Sequence, residues 1–384
     1  MDIFLNNLYF LEIIIKNFLL KTLNLVLNFF FNFIYSNIKD KDKEKYIIIQ
    51  RFGSLGDIVT SIKSVLMIVE RYKNYKIIIF HSKNLYSNFH DLKNILPPDI
   101  QFIEYDPSKK SSIQSIGNVL KKLNIQKWFI LSQELANFFY EFKQILFANY
   151  CGSKKVYFAD LQNSFFFKKT IKNIQYLYES NRLSSYLNKY GVSNLNKEIY
   201  NYMNFDQSRF KIFNKIIFPK ENLGIKTAII FVSANKKPNI WNYNNYSKII
   251  LELISHNFKI ILLGTENDID QINLLKSSLN IQNDDLIDLT GNTSFEDLFY
   301  ICQMVDLSIS NDTGIIHITN LFNIRTFAIF SSRDYHLKWF PDNAIIFRND
   351  IDCSPCFLDS CPYENKCINS ITPEKVINTL NEFI

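Results

Sequence analysis

Apolar and polar positions follow a regular rhythm along most of this chain. From residue 46 onward, short runs such as Tyr46–Ile49, Ile77–Phe80, Trp128–Leu131 and Val156–Phe158 are apolar at nearly every position and end at polar or turn residues. Runs that brief and that continuous predict strands buried on both faces. Longer amphipathic stretches separate them, and in one of these Ile58, Ile62, Val65, Leu66 and Val69 recur at helical spacing. Strand followed by helix, repeated, predicts βαβ units and a parallel sheet. Between about residues 165 and 220 the rhythm weakens, Asn, Ser, Lys and aromatics mix, and an irregular or helical connection is expected. A second series then runs through Thr227–Val232, Phe258–Leu263, Leu286–Leu289, Asp306–Ile309, Thr326–Phe330 and Ala344–Phe347. The pattern predicts an α/β protein of two doubly wound domains, over residues 46–205 and 226–384, with a connector over 206–225. Ligands of such sheets lie beyond the carboxyl ends of the strands.

The amino terminus behaves differently. Residues 3–35 are strongly apolar, but Glu12, Lys16, Lys21, Asn24, Asn28 and Asn32 interrupt them, leaving no uncharged run of the ~18 residues that a spanning helix needs. On a helix, Asn17, Lys21, Asn24, Asn28 and Asn32 align as a narrow polar stripe on a Leu/Ile/Phe cylinder. Two arrangements suit residues 1–38: an amphipathic helix lying in a membrane interface, or a helix packed on the protein with its polar stripe outward. A cleaved signal peptide fits less well, because Asp2 opens the chain and no small-residue cleavage site follows. The run KDKDKEK at 39–45 has the composition of a solvated, charged linker.

Composition narrows the picture further. A length of 384 residues suits two to three domains with a substantial core. Only 9 residues are glycine, where ordinary usage of ~7% gives roughly 27, while Ile, Phe, Asn and Lys are over-used as in a chain drifting under an AT-rich genome. Each retained glycine therefore points to a backbone conformation or close approach that needs it. The formal net charge of +6, with no long basic run, speaks against a dedicated nucleic-acid binder and suits anionic membranes or phosphorylated small molecules. Six cysteines do not make a disulfide-stapled secreted domain, and four of them crowd between residues 353 and 367.

Four loops carry candidate chemistry. In IIIQRFGSLGDIVTS (47–61) a strand gives way to a loop with Gly53 and Gly56, and Asp57 stands at the start of a helix, where it serves either as a cap or as a reactive carboxylate. The glycine spacing is not that of a dinucleotide-binding G-x-G-x-x-G loop, which counts against a dehydrogenase. In SISNDTGIIHITN (308–320) a strand is followed by cap formers, and the amides beside Gly314 open a helix suited to phosphate oxygens. Asp312 there suits the hydroxyl groups of a sugar, and His317 is either a core histidine or part of that pocket. Glu266, just after Gly264, is placed to accept both hydroxyls of a ribose or simply to face solvent. Ser233 follows another strand, with Lys236 or Lys237 available to a diphosphate.

Taken in order, RFGSLGD (51–57), LTGNTSFEDL (289–298), SNDTGIIH (310–317), CSPCFLDSCPYENKC (353–367) and ITPEKV (371–376) resemble the heptosyltransferases of glycosyltransferase family 9 over residues 46–380. The resemblance implies a GT-B fold, in which two Rossmann-like domains face a cleft, with the acceptor on the first and the nucleotide sugar on the second. It implies an inverting enzyme that needs no cofactor or metal for catalysis, moving heptose from ADP-heptose to the inner core of lipopolysaccharide on Kdo-bearing lipid A. Asp57 then matches a general base, and Arg51, Gly53, Ser54 and Gly56 form the acceptor-side loop. Ser233, Lys236, Lys237, Glu266, Asp312, Thr313, Gly314 and His317 become the donor side. The implied place is peripheral, on the cytoplasmic face of the inner membrane. The chain departs from the family where Asn239 and Ile240 precede Trp241 without the usual nearby Lys, and where Ser233-Ala234 and Ser331 stand for glycines. Such changes leave room for another nucleotide sugar or acceptor glycan, or for an inactive GT-B binding scaffold. Cys353, Cys356, Cys361 and Cys367, spaced C-x2-C-x4-C-x5-C, are compact enough for one structural zinc or iron–sulfur site, or are four reduced thiols in a loop.

Overall fold

The computed structural model describes residues 2–35, 43–83, 92–106, 109–132, 137–161, 177–218, 225–234, 236–279 and 285–384. The chain forms two units, residues 1–173 with 179–204, and residues 174–178 with 205–384. Residues 39–42 of the expected charged linker, and 219–224 of the expected connector, lie outside the described residues, as does 165–176 of the weakly patterned stretch.

The first unit is a parallel sheet of β1 (Lys45–Arg51), β2 (Lys76–Ser82), β3 (Ile100–Tyr105), β4 (Asn124–Ile130) and β5 (Val156–Phe158), ordered β3-β2-β1-β4-β5. Every residue of β1 after Lys45 is buried, which is why its apolar run is continuous. Helices α2 (Leu55–Arg71), α3 (Lys110–Leu120), α4 (Phe138–Tyr150) and α5 (Glu179–Lys189) complete the unit. The apolar positions singled out in α2 are all buried except Val69, which is partly so. Strand β3 has no counterpart in the apolar runs of the sequence. It is an edge strand, half exposed, and its sequence IQFIEY mixes polar residues into the run.

The second unit repeats the plan with β6 (Lys226–Phe231), β7 (Phe258–Leu263), β8 (Leu286–Asp288), β9 (Leu307–Asn311), β10 (Arg325–Phe330) and β11 (Ala344–Arg348), all parallel, ordered β11-β10-β9-β6-β7-β8. Helix α6 (Gln207–Ile217), capped by Asp206, occupies the described part of the connector region. Then come α7 (Tyr243–Ser255), α8 (Ile269–Ser278), α9 (Phe295–Cys302), α10 (Gly314–Leu321), α11 (Lys366–Asn369) and α12 (Pro373–Asn381). Trp241 is fully buried and ties layers together, its indole N–H donating to the Ile371 carbonyl at 2.9 Å.

The amino-terminal helix α1 (Asp2–Tyr35) packs on the first unit against α4, with Leu20 in the core. Its polar stripe does not face outward, so the packed arrangement expected above is overturned in its orientation. Asn17 exchanges two hydrogen bonds with Leu161, its Nδ2 reaching the carbonyl at 3.0 Å and its Oδ1 accepting from the amide at 2.8 Å. Asn24 Nδ2 donates to the Val156 carbonyl at 3.0 Å, and Lys21 pairs with Asp160 at 2.7 Å. The reason lies in the sheet: β5 is an edge strand whose outer carbonyls need donors, and carboxamides spaced by helical turns supply them.

Candidate active site

In the first unit the strand order reverses between β1 and β4, so the crevice beyond their carboxyl ends is the natural ligand position. Arg51 closes β1 there, fully buried, with every guanidinium nitrogen engaged. Its Nη1 donates to the Leu131 carbonyl at 2.7 Å and its Nε to the Asp57 carbonyl at 3.1 Å. Its Nη2 bridges Asp57 Oδ1 and Glu179 Oε1, both at 3.2 Å. Glu179 is held in turn by Arg182, from Nε at 2.7 Å and Nη2 at 2.8 Å, and that Nη2 also donates to the Ser132 carbonyl. Burial alone raises the Glu179 carboxyl, but Arg182 and then Arg51 outweigh it and hold the group below the usual range. Two arginines and two carboxylates thus form one buried, charge-balanced cluster.

Asp57 joins this cluster to the loop. Its Oδ2 accepts from the Ser54 amide at 2.9 Å and the Ser54 hydroxyl at 2.8 Å, so it caps α2 and also sits in the crevice. Gly53 has φ +151, and a Cβ there would stand 2.5 Å from Asp57 Cβ, so the carboxylate occupies the space a side chain would take. Gly56 lies in the first turn of α2, its carbonyl accepting from Thr60 at 2.9 Å. Nearby, buried Glu141 accepts from Ser132 Oγ, and burial pushes its pKa up to about 7 against the opposing Ser132 hydrogen bond and Arg182.

In the second unit the reversal falls between β9 and β6. Asn311 stitches the two strand ends: its Nδ2 donates to the Val232 carbonyl at 2.6 Å, while its Oδ1 accepts from the Trp241 amide at 3.2 Å and the Tyr246 hydroxyl at 2.9 Å. Ser233 is buried here, and its carbonyl also accepts from Asn311, at 3.4 Å. Asp312 follows, its Oδ2 accepting from Asn239 Nδ2 at 3.1 Å, and Ser331 Oγ donates to Asn239 Oδ1 at 2.5 Å. Residue 312 as a whole is half-buried, but its carboxyl is shielded from solvent, and that burial, with Asp334 adding to it, pushes its pKa to about 7 against Arg333, Lys338 and Arg348. Thr313 caps α10 and its hydroxyl meets Ser310 at 3.1 Å, while Gly314 begins the helix. His317 is buried one turn on, 3.2 Å from the Tyr178 hydroxyl through Nδ1 and stacked on that ring, and burial pushes its pKa down to about 3. It is a neutral imidazole.

The remaining expected donor residues are placed less centrally. Lys236 pairs with Asp359 at 2.9 Å, and Lys237 is exposed in the short 3-10 turn that leads to Trp241. Glu266 is exposed after β7, with its Cγ 3.4 Å from where a Gly291 Cβ would lie. Several groups in these crevices carry no motif in the sequence: Glu179 and Arg182 on α5, and Lys338 and Arg348, which join Arg333 as the cations around Asp312. Chemically, the second crevice offers the opening amides of α10, three cations and a shielded carboxyl, a set suited to a phosphorylated ligand bearing hydroxyl groups.

The cysteine cluster is not arranged as its spacing suggests. Among the described residues no group of three or more His, Cys, Asp or Glu side chains is placed to hold a metal ion. Cys367 is buried in the second unit's core, Cys353 is exposed, and Cys356 and Cys361 are half-buried. All four are free thiols, and partial desolvation together with Cys356, Cys367 and Cys361 raises the pKa of Cys353.

Residues 196–367 match the glycosyltransferase family 9 (heptosyltransferase) family. Lipooligosaccharide heptosyltransferase 2 of Campylobacter jejuni subsp. jejuni serotype O:6 is 28% identical over 180 residues, which is 45% of this chain and 55% of that protein. The chain spans about half the length of the curated relatives it matches. Among solved structures, the glycosyl transferase family 9 protein of Veillonella parvula aligns with a TM-score of 0.65 at 14% identity, covering 89% of this chain and 97% of that one. The Escherichia coli ADP-heptose lipopolysaccharide heptosyltransferase II aligns with a TM-score of 0.59 at 13% identity, covering 88% and 98%. The fold is therefore GT-B, with two Rossmann-like α/β domains, as the sequence pattern and the resemblance led us to expect.

Proposed function

We propose, from the match of residues 196–367 to glycosyltransferase family 9, that the chain is an inverting glycosyltransferase of that kind, which moves heptose from ADP-heptose to the inner core of a lipopolysaccharide. In this reading Asp57 takes the proton of the acceptor hydroxyl as the oxygen attacks the anomeric carbon, and ADP leaves from the opposite face. The observation that carries it is the position of Asp57 in its charge cluster. Its side chain is 9% exposed, against 0% for Arg51, 2% for Glu179 and 6% for Arg182, which supports Asp57 as the member that meets a ligand. Glu179 shares the Arg51 guanidinium with Asp57, so Asp57 is not the sole partner of that cation. On the donor side, the amides of Thr313 and Gly314 and the cations Arg333, Lys338 and Arg348 supply positive potential for the departing diphosphate. Asp312 and His317 line the sugar, and Glu266 and Ser233 flank the nucleoside.

A second reading keeps the reaction and changes the sugar. Asn239, steadied by Ser331 at a position where the family keeps glycine, is aimed at Asp312, and this added carboxamide favours a donor with a different hydroxyl pattern. A turnover screen of ADP-sugars against Kdo-bearing lipid A, with product linkage determined, tests both. ADP-heptose as the fastest donor, with inversion at the anomeric carbon, supports the first reading; a faster donor among the other sugars supports the second; retention of configuration refutes both.

A further inference from the structure

Helix α1 is amphipathic in the inverse sense. Its polar stripe is bound to the first unit together with Leu20 and Leu27, and many of its large apolar residues point away from it. Phe18, Phe29 and Phe33 are 68%, 78% and 73% exposed, and the same face carries Phe10, Leu25 and Phe30. From Phe10 to Ile34 the exposed residues are apolar apart from Lys21, paired with Asp160 at 2.7 Å, and Thr22, whose hydroxyl donates to the Phe18 carbonyl at 2.9 Å. At a rise of ~1.5 Å per residue this face runs for roughly 36 Å. A soluble protein rarely leaves so large a contiguous apolar patch uncovered.

We propose that this face docks the protein in the plane of an anionic lipid bilayer, with α1 lying at the level of the headgroups and acyl chains. Three observations select a bilayer over other occupants. The helix does not have the length and apolarity to cross a membrane, and Asn17 and Asn24 are already committed to Leu161 and Val156, so it lies on the surface rather than threading through. The outward residues come in adjacent pairs once per turn, such as Phe18 with Leu19, Leu25 with Val26 and Phe29 with Phe30, which makes a face broader than the single seam of a paired helix. Charge also fits. At the Tyr35 end, the Tyr35 hydroxyl donates to the Tyr150 carbonyl at 2.8 Å, Lys121 lies 3.3 Å over the Tyr150 ring, and Asn32 reaches the carbonyl of exposed Lys154. Exposed Lys122 and Lys155 flank these two lysines in the chain, giving the apolar face a basic border for anionic headgroups. Because the carboxamide bonds fix α1 to β5 and Leu161, the bilayer would hold the first unit in one orientation rather than on a tether.

The inference is independent of the sugar chemistry, since vesicle binding needs neither donor nor acceptor. The test is flotation of the full chain with vesicles of phosphatidylethanolamine and phosphatidylglycerol, alongside the double variant Phe18→Glu/Phe29→Glu and the double variant Lys121→Glu/Lys154→Glu, each checked for an unchanged circular dichroism spectrum. The unaltered chain should float. The phenylalanine variant should lose at least ten-fold in partitioning on all vesicles, and the lysine variant should lose binding selectively on anionic ones. A chain that stays in the aqueous fraction overturns the proposal. So does equal flotation of the chain and the phenylalanine variant, or a lipid-free dimer that the phenylalanine variant dissolves while vesicle binding is absent.

Discussion

Replacing Gly53 with Ala should disable the site without touching any charged group. The new Cβ would stand 2.5 Å from Asp57 Cβ and 2.6 Å from its Oδ2, where ordinary contact begins at 3.4 Å. Asp57 must therefore retreat by about 0.9 Å, but its Oδ2 is held by two donors on Ser54 and its Oδ1 by Arg51. A displacement of ~1 Å at a reacting group costs on the order of 100-fold in rate, or about 2.7 kcal/mol of barrier. The backbone adds a second cost, because φ +151 is strained for any residue with a side chain, by about 1–3 kcal/mol. The variant should show kcat reduced roughly 100-fold, a lower midpoint in urea, and an ADP affinity within two-fold of the original, since ADP is assigned to the other unit. Steady-state turnover, urea titration and calorimetric ADP binding measure the three. Unchanged turnover with unchanged stability would refute the placement of Asp57 against Gly53.

Other changes probe other parts of the account. Asn24→Leu strips the Val156 carbonyl and the Asn149 amide of their partner, and should cost about 1–3 kcal/mol in urea unfolding, with protease sensitivity rising in α1. His317 is buried neutral with a pKa near 3 in the folded state, so the unfolded chain binds more protons below its ordinary value of 6.5. Stability should fall as pH drops from 6.5 toward 3, by up to about 1.4 kcal/mol per pH unit, and His317→Gln should flatten that part of the curve. Glu141 has the opposite sign: its pKa is raised to about 7, so its contribution is full below about pH 4.5 and is lost as pH rises through 7. Glu141→Gln should therefore gain on the original protein in melting temperature between pH 5 and pH 8.

The strands were legible in the sequence wherever both faces of a strand are buried, because burial there forces an apolar run, as in Tyr46–Ile49 of β1 and Ile77–Phe80 of β2. The same logic hid β3, whose edge position tolerates Gln101 and Glu104. Gly53 and Asp57 could be found because their contact is local, between residues four apart where β1 passes into α2. Glu179, Arg182, Lys338 and Arg348 could not, because they reach the crevices from segments outside the motif loops and no spacing marks the encounter. The stripe on α1 is visible in the sequence, where polarity by itself points to solvent. A sheet edge rich in unpaired carbonyls offers an alternative destination, and only the fold decides between them. Cysteine spacing likewise marks proximity along the chain, and among the described residues no group of side chains is placed to hold a metal.

The central claim is that Asp57 acts as the base of a transfer reaction and does not merely cap α2. Asn at position 57 keeps the size and an oxygen for the Ser54 donors but cannot take a proton. Single-turnover transfer from ADP-heptose by Asp57→Asn, measured beside its ADP affinity, separates the two roles. The rate should fall at least ~100-fold with ADP binding within two-fold; a rate within three-fold of the original would refute the base assignment.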